Sequence, residues 1–281
     1  MVTLPNGVTV RVLESGDETA HPVLLVHGWG VSAYMWRDWY APLASAGFRV
    51  VALDLPGHGM SDKSDDANLY TLDGLVAALR LLIESERLAA PHVVAQSMGG
   101  TIALTLASRA EVKLGRLVLV NPACFGVVHN LSLARLVSTR AMESMLERVV
   151  PRWVVARARR IVYGDPSRMT EENIDQYWAP SQFPGYARAM SRLLREFPWK
   201  RIESGRMAAT LRGLRGEVRP PLVVLGTRDL LVRDARPYVA ALTAAGSPLE
   251  VYESHGGGHA VNEERPEEIV PVVLRFLQAP R

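Results

Sequence analysis

Two hydrophobic periods alternate along the chain. Short apolar runs at residues 23–26, 48–53, 92–96, 114–120, 222–225 and 249–252 read as strands, and a less regular one covers 8–14. Several of these are apolar on consecutive positions, the pattern of a strand covered on both faces. Between them the spacing changes to that of amphipathic helices. Trp36, Trp39 and Leu43 predict a helix near 34–46, and Leu72, Leu75, Val76, Leu79, Leu82 and Ile83 predict one over 71–87. Further helices are expected over 101–107, near 233–243 and near 266–278. Strands alternating with helices imply a parallel sheet wound on both faces.

The rhythm stops after residue 122 and resumes near 222. Residues 125–205 carry helical spacing, such as Leu133, Leu136, Val137, Ala141, Met145 and Val149 on one face. They also carry Pro151, Pro166, Pro180, Pro184 and Pro198, and no strand pattern. The expected organisation is therefore one α/β core domain, 1–124 with 206–281, interrupted by a helical cap at 125–205. Trp153, Trp178, Trp199, Tyr177, Phe183 and Tyr186, with Met142, Met145, Met169 and Met190, supply that cap with an apolar interior.

The most informative stretch is 91–100, Pro-His-Val-Val-Ala-Gln-Ser-Met-Gly-Gly. A strand runs into a helix through a single turn centred on Ser97. Small residues two before and two after it, Ala95 and Gly99, let strand and helix approach that closely. The turn lifts the hydroxyl from the sheet edge, and the Met98 amide at the helix start faces any anion formed there. This resembles the nucleophile elbow of the α/β-hydrolases, with Ala95 at the first position of the usual Gly-x-Ser-x-Gly.

A nucleophilic serine needs a base, and the base needs an anion that fixes its tautomer. In the family these follow in the order serine, acid, histidine. Asp229, just past the 222–225 strand, stands where the acid is expected, and Asp234, inside the next helix, is the weaker choice. His259 follows Gly256-Gly257-Gly258 after the last strand and stands where the base is expected. His255 reads as a surface side chain. His27-Gly28-Trp29-Gly30 resembles the family's His-Gly-x motif, which implies that the Trp29 amide joins that of Met98 in an oxyanion hole. Gly28 and Trp29 would then border the substrate, with His27 orienting the loop. Asp54 to Ser61 resembles the family's Asp-x-Pro-Gly-His-Gly-x-Ser loop, where Asp54 and His58 are read as scaffolding.

Other chemistries explain less. Gly28-x-Gly30-x-x-Ala33 with Asp54 fits a dinucleotide fingerprint, but leaves Ser97, Asp229 and His259 unused and puts Trp29 where a pyrophosphate would lie. His255 and His259 are separated by three glycines and share no helix face, so no metal is expected. No cofactor is expected either. The net charge is +3 with 29 Arg and 3 Lys, and 129–201 holds 13 basic against 7 acidic residues. No basic run interleaved with aromatics points to nucleic acid. No apolar run approaches membrane-spanning length. The lone Cys124 allows no internal disulfide, and the start shows no signal-peptide pattern, so a cytoplasmic location is expected.

A serine in place of an aspartate nucleophile implies attack on a carbonyl rather than on saturated carbon. The expected activity is a serine carboxylesterase acting through an acyl-enzyme on small to medium apolar acyl or aryl esters. Lactone or thioester hydrolysis, C–C bond hydrolysis and peracid formation use the same machinery. A ligand-binding receptor that keeps the fold without the chemistry is a further alternative.

Overall fold

A computed structural model of the chain describes residues 1–128, 150–214 and 220–280. Its strands are β1 (Val2–Thr3), β2 (Thr9–Val10), β3 (Val12–Ser15), β4 (His21–Val26), β5 (Phe48–Leu53), β6 (His92–Gln96), β7 (Leu117–Val120), β8 (Val127–Val128), β9 (Leu222–Gly226), β10 (Val232–Arg233) and β11 (Glu250–Ser254). Seven form one sheet in the order β11-β9-β7-β6-β4-β5-β3. Only β3 within it runs antiparallel, against β5.

Successive residues of each strand enter opposite cores, which is why the runs are apolar throughout. Leu24, Val26, Val93, Ala95, Leu117 and Leu119 face helices Leu72–Ser85, Met98–Arg109 and Ala235–Ala244. Val23, Leu25, Val94, Val118 and Val120 face Trp36, Trp39, Leu43 and helix Pro266–Gln278. Each large aliphatic side chain so buried contributes about 1.5–3 kcal/mol. Because the central strands are parallel, the loops after β4, β6, β7, β9 and β11 all open at one edge. That edge is where ligands bind in such sheets.

Three elements depart from the pattern-based expectation. The helix near 34–46 is two pieces, a 3-10 turn at Ala33–Trp36 and helix Tyr40–Ser45. Pro42 explains the break: it lacks an amide donor, and its ring would strike the carbonyl of residue 38 in a continuous helix. The 8–14 run divides at Arg11, whose amide donates to Ser61 Oγ (2.8 Å) and whose carbonyl accepts from the Asp54 amide (2.9 Å). The stretch expected to lack strands holds β8, two residues long, paired antiparallel with β10.

Helices Arg152–Ile161, Glu171–Ser181 and Tyr186–Glu196 follow. Met169, Tyr177, Met190 and Trp199 are buried, Met190 and Trp199 joining one core of the sheet and Tyr177 the other, whereas Trp153 and Phe183 are exposed. Leu133, Leu136, Val137, Ala141, Met142, Met145 and Val149 lie outside the described residues. The Ile202 amide donates to the Cys124 carbonyl (3.0 Å), so the chain returns to the sheet beside the point where it left.

Candidate active site

The strand-to-helix turn puts Ser97 at φ 52°, ψ −115°, with the Thr101 amide already donating to its carbonyl. A non-glycine residue held there costs about 1–3 kcal/mol, sustained by the packing on either side. Ala95 pairs with Val26 and Leu119 in the sheet, and a Cβ on Gly99 would stand 2.5 Å from the His27 carbonyl oxygen. Helix Met98–Arg109 therefore lies directly on the end of β4.

Three side chains meet at this edge. Ser97 Oγ is 2.9 Å from His259 Nε2, and His259 Nδ1 is 2.8 Å from Asp229 Oδ2. An ionised carboxylate only accepts, so Nδ1 carries the imidazole proton and the Nε2 lone pair faces the serine hydroxyl. The other Asp229 oxygen accepts the amides of Leu231 (2.8 Å) and Val232 (2.9 Å), which fixes the carboxylate plane. Ser97 and His259 are both buried. In that geometry, proton transfer from hydroxyl to imidazole needs no rearrangement.

The neighbouring motifs take up positions around this chain. Gly28 sits against the elbow: a Cβ there would stand 3.0 Å from Ser97 Cβ and inside the contact distance of Gln96 Oε1. Trp29 follows, half-buried, its ring edge-on to Trp199 with centroids 6.1 Å apart. Its indole Nε1 is buried and has no hydrogen-bond partner among the described residues. The Met98 amide opens the helix immediately after Ser97.

His27 Nε2 accepts the Leu55 amide (2.9 Å), so Nδ1–H must donate to the Gly28 carbonyl (2.6 Å). Burial holds this imidazole below its ordinary pKa, with Asp54 opposing. Asp54 accepts the amides of Ala33 (2.7 Å) and Met60 (2.8 Å), tying the loop after β4 to its own. His58 is fully buried, and burial followed by the nearby His27 pushes it well below the usual histidine range. Neither histidine reaches Ser97. His255 is exposed, and Asp234 is exposed at the start of helix Ala235–Ala244, whereas His259 Nδ1 pairs with Asp229. Burial pushes the Cys124 thiol up to about 12, leaving it without thiolate character.

A model of the alpha/beta hydrolase family matches residues 23–272. The chain belongs to that family. It is 28% identical over 273 residues to the dihydrolipoyllysine-residue acetyltransferase component of the acetoin cleaving system of Pseudomonas putida, covering 97% of this chain and 67% of the relative. Among solved structures it is similar to a proposed aryl esterase of Burkholderia cenocepacia (TM-score 0.78, 23% identity, 99% of this chain and 97% of that one). It is also similar to carboxylesterase CesB of Bacillus subtilis (TM-score 0.76, 20% identity, 97% and 88%). At those identities the two structures speak to the fold.

In this alpha/beta hydrolase, two supporting residues escape sequence reasoning. Asn121, at the end of β7 with φ 41°, donates to the carbonyls of Gly258 (3.0 Å) and His259 (2.9 Å), and accepts the Gly226 amide (2.9 Å). One side chain thus ties together the loops bearing Asp229 and His259. Gln96 Nε2 adds a second donor to the His259 carbonyl (3.1 Å). The Asn-Pro after β7 reads as a turn, but contacts across 105 and 138 residues leave no spacing to detect.

A cavity of about 320 Å³ borders Asp229, Asn121, Leu230 and Val232 on the side of helix Ala235–Ala244; Ser97 and His259 do not line it. Among the described residues, no cluster of His, Cys, Asp and Glu could hold a metal, and no helix is long and apolar enough to cross a membrane.

Proposed function

We propose that this alpha/beta hydrolase is a carboxylic ester hydrolase with Ser97 as nucleophile. The observation that carries the reading is the unbroken relay from Ser97 Oγ through His259 to Asp229, at 2.9 and 2.8 Å. His259 takes the serine proton as Oγ attacks the ester carbonyl, and Asp229 stabilises the imidazolium that results. The amides of Trp29 and Met98 bind the oxyanion. Histidine then protonates the leaving alkoxide, and water, deprotonated by the same imidazole, hydrolyses the acyl-enzyme. Gly28 and Trp29 border the acyl group.

In this reading the helical insertion, described over 150–205, is a lid over the site at the edge of the sheet. The edge-on contact of Trp29 with Trp199 supports a substrate with a small or medium apolar acyl or aryl part.

Ser97→Ala tests it against p-nitrophenyl acetate and butyrate. Turnover should fall at least about 10³-fold with the melting temperature preserved, the scale of losing a relay member. Turnover that survives in the folded variant refutes the reading.

A further inference from the structure

The turn 162–165 of the helical segment contacts the histidine loop on both sides of His259. After it in sequence, the Ala260 amide donates to the Val162 carbonyl (3.0 Å). Before it, Gly258 lies against the backbone of that turn: a Cβ on Gly258 would stand 2.5 Å from the Tyr163 carbonyl carbon and 2.6 Å from the Val162 oxygen. A Cβ on Gly164 would reach the Gly258 nitrogen at 2.8 Å and the Gly257 carbonyl carbon at 2.9 Å. The two backbones touch only because both residues lack side chains.

One carboxylate spans the contact. Glu264 Oε2 accepts the amides of Gly258 (2.8 Å) and Gly164 (2.9 Å), and Oε1 accepts that of Asp165 (2.8 Å). Its side chain is fully buried, with Arg265 Nε at 3.8 Å from Oε1. Gln96 and Asn121 hold the same loop from the sheet side through the His259 carbonyl.

We propose that Glu264 is a positioning residue for His259: it fastens the histidine loop to the turn 162–165, and so sets the imidazole between Ser97 and Asp229. The proposal rests on the hydrolytic reading above. A carboxylate that accepts one buried amide and two half-buried ones has no amide substitute that keeps all three bonds. Glutamine offers one acceptor oxygen and turns an N–H₂ toward amides that can only donate. The loop must then shift, and a displacement of about 1 Å at reacting groups costs roughly 10²-fold in rate.

Two full-length variants test this, Glu264→Gln from the loop side and Gly164→Ala from the helical side. Each is measured for kcat and KM on p-nitrophenyl acetate, for melting temperature, and for the downfield proton resonance of the His259 Nδ1–H. That resonance is assigned by its loss in Asp229→Asn. The expected result is a kcat lower by roughly 10²-fold with KM within about twofold, and the resonance shifted or lost in protein that remains folded. Should Glu264→Gln fail to fold, Gly164→Ala carries the test, since it keeps the carboxylate and adds one methyl group. Wild-type kcat and an unchanged resonance in the folded variants would overturn the proposal. If the wild type itself shows no Ser97-dependent turnover while the resonance still responds to Glu264→Gln, the hydrolytic reading falls and the positioning contact stands.

Discussion

At the scale of single residues, the acid and the buried histidines make separable predictions. Asp229 contacts His259 and uses its second oxygen on two amides, whereas Asp234 is exposed at a helix start. Asp229→Asn should therefore lose about 10⁴ in kcat by allowing the wrong imidazole tautomer, and Asp234→Asn should lose nothing measurable in the same ester assay. His27 and His58 act on stability instead. Both are buried and held below their ordinary pKa mainly by desolvation, so the folded chain keeps them neutral while the unfolded chain protonates below about pH 6.5. In that window the unfolded state binds more protons, and stability is lost as pH falls. Each such group contributes up to about 1.4 kcal/mol per pH unit. Urea midpoints at pH 8 and pH 5 should differ, and His58→Gln should flatten the difference; an equal drop in the variant would place the acid sensitivity elsewhere.

At the scale of elements, legibility followed the range of the forces involved. Continuous apolar runs marked β4, β5, β6, β7 and β9, because burial on both faces is written into consecutive residues. The meeting of Ser97, Asp229 and His259 was legible because each lies in the turn or loop after a parallel strand, in the chain order that the family resemblance implies, and the sheet brings those loops to one edge. The break at 36–40 was legible in principle from Pro42, yet the aromatic spacing of Trp36 and Trp39 masked it, since both rings are buried in either geometry. Helix Ala235–Ala244 starts later than its apolar pattern because Val232–Arg233 pairs with β8 and Asp234 turns at φ 62°. Asn121, Gln96 and Glu264 stayed hidden for a different reason. Their partners are backbone groups, most of them in loops distant along the chain, and a backbone N–H or carbonyl has no residue type to read.

At the scale of the whole molecule, the helical segment and the sheet meet on a charge. Glu263 is fully buried and accepts from Arg37 (2.7 Å), Tyr177 (2.6 Å) and Arg159. Arg159 and Tyr177 come from two different helices of the segment, and Arg37 from the turn after Ala33–Trp36. Each guanidinium also lies over a tyrosine ring, Arg37 on Tyr34 at 4.7 Å and Arg159 on Tyr177 at 4.3 Å. An ion cluster of this kind adds little over a well-packed apolar one, but removing a single member strands the rest. Glu263→Ala would leave the buried Arg159 with no carboxylate partner among the described residues, beside a partly exposed Arg37 that keeps Asp38 at 3.5 Å. The expected loss is about 3–5 kcal/mol, read as a lower urea midpoint. Replacing Glu263 and Arg159 together with Leu and Met should recover much of it, because the uncompensated charge goes with its partner. Since Glu263 adjoins Glu264, the single variant should also lower kcat in protein that remains folded, and the double variant should restore stability ahead of rate. Equal recovery of both would mean that the cluster bears on the imidazole only through stability, and that the latch at Glu264 acts alone.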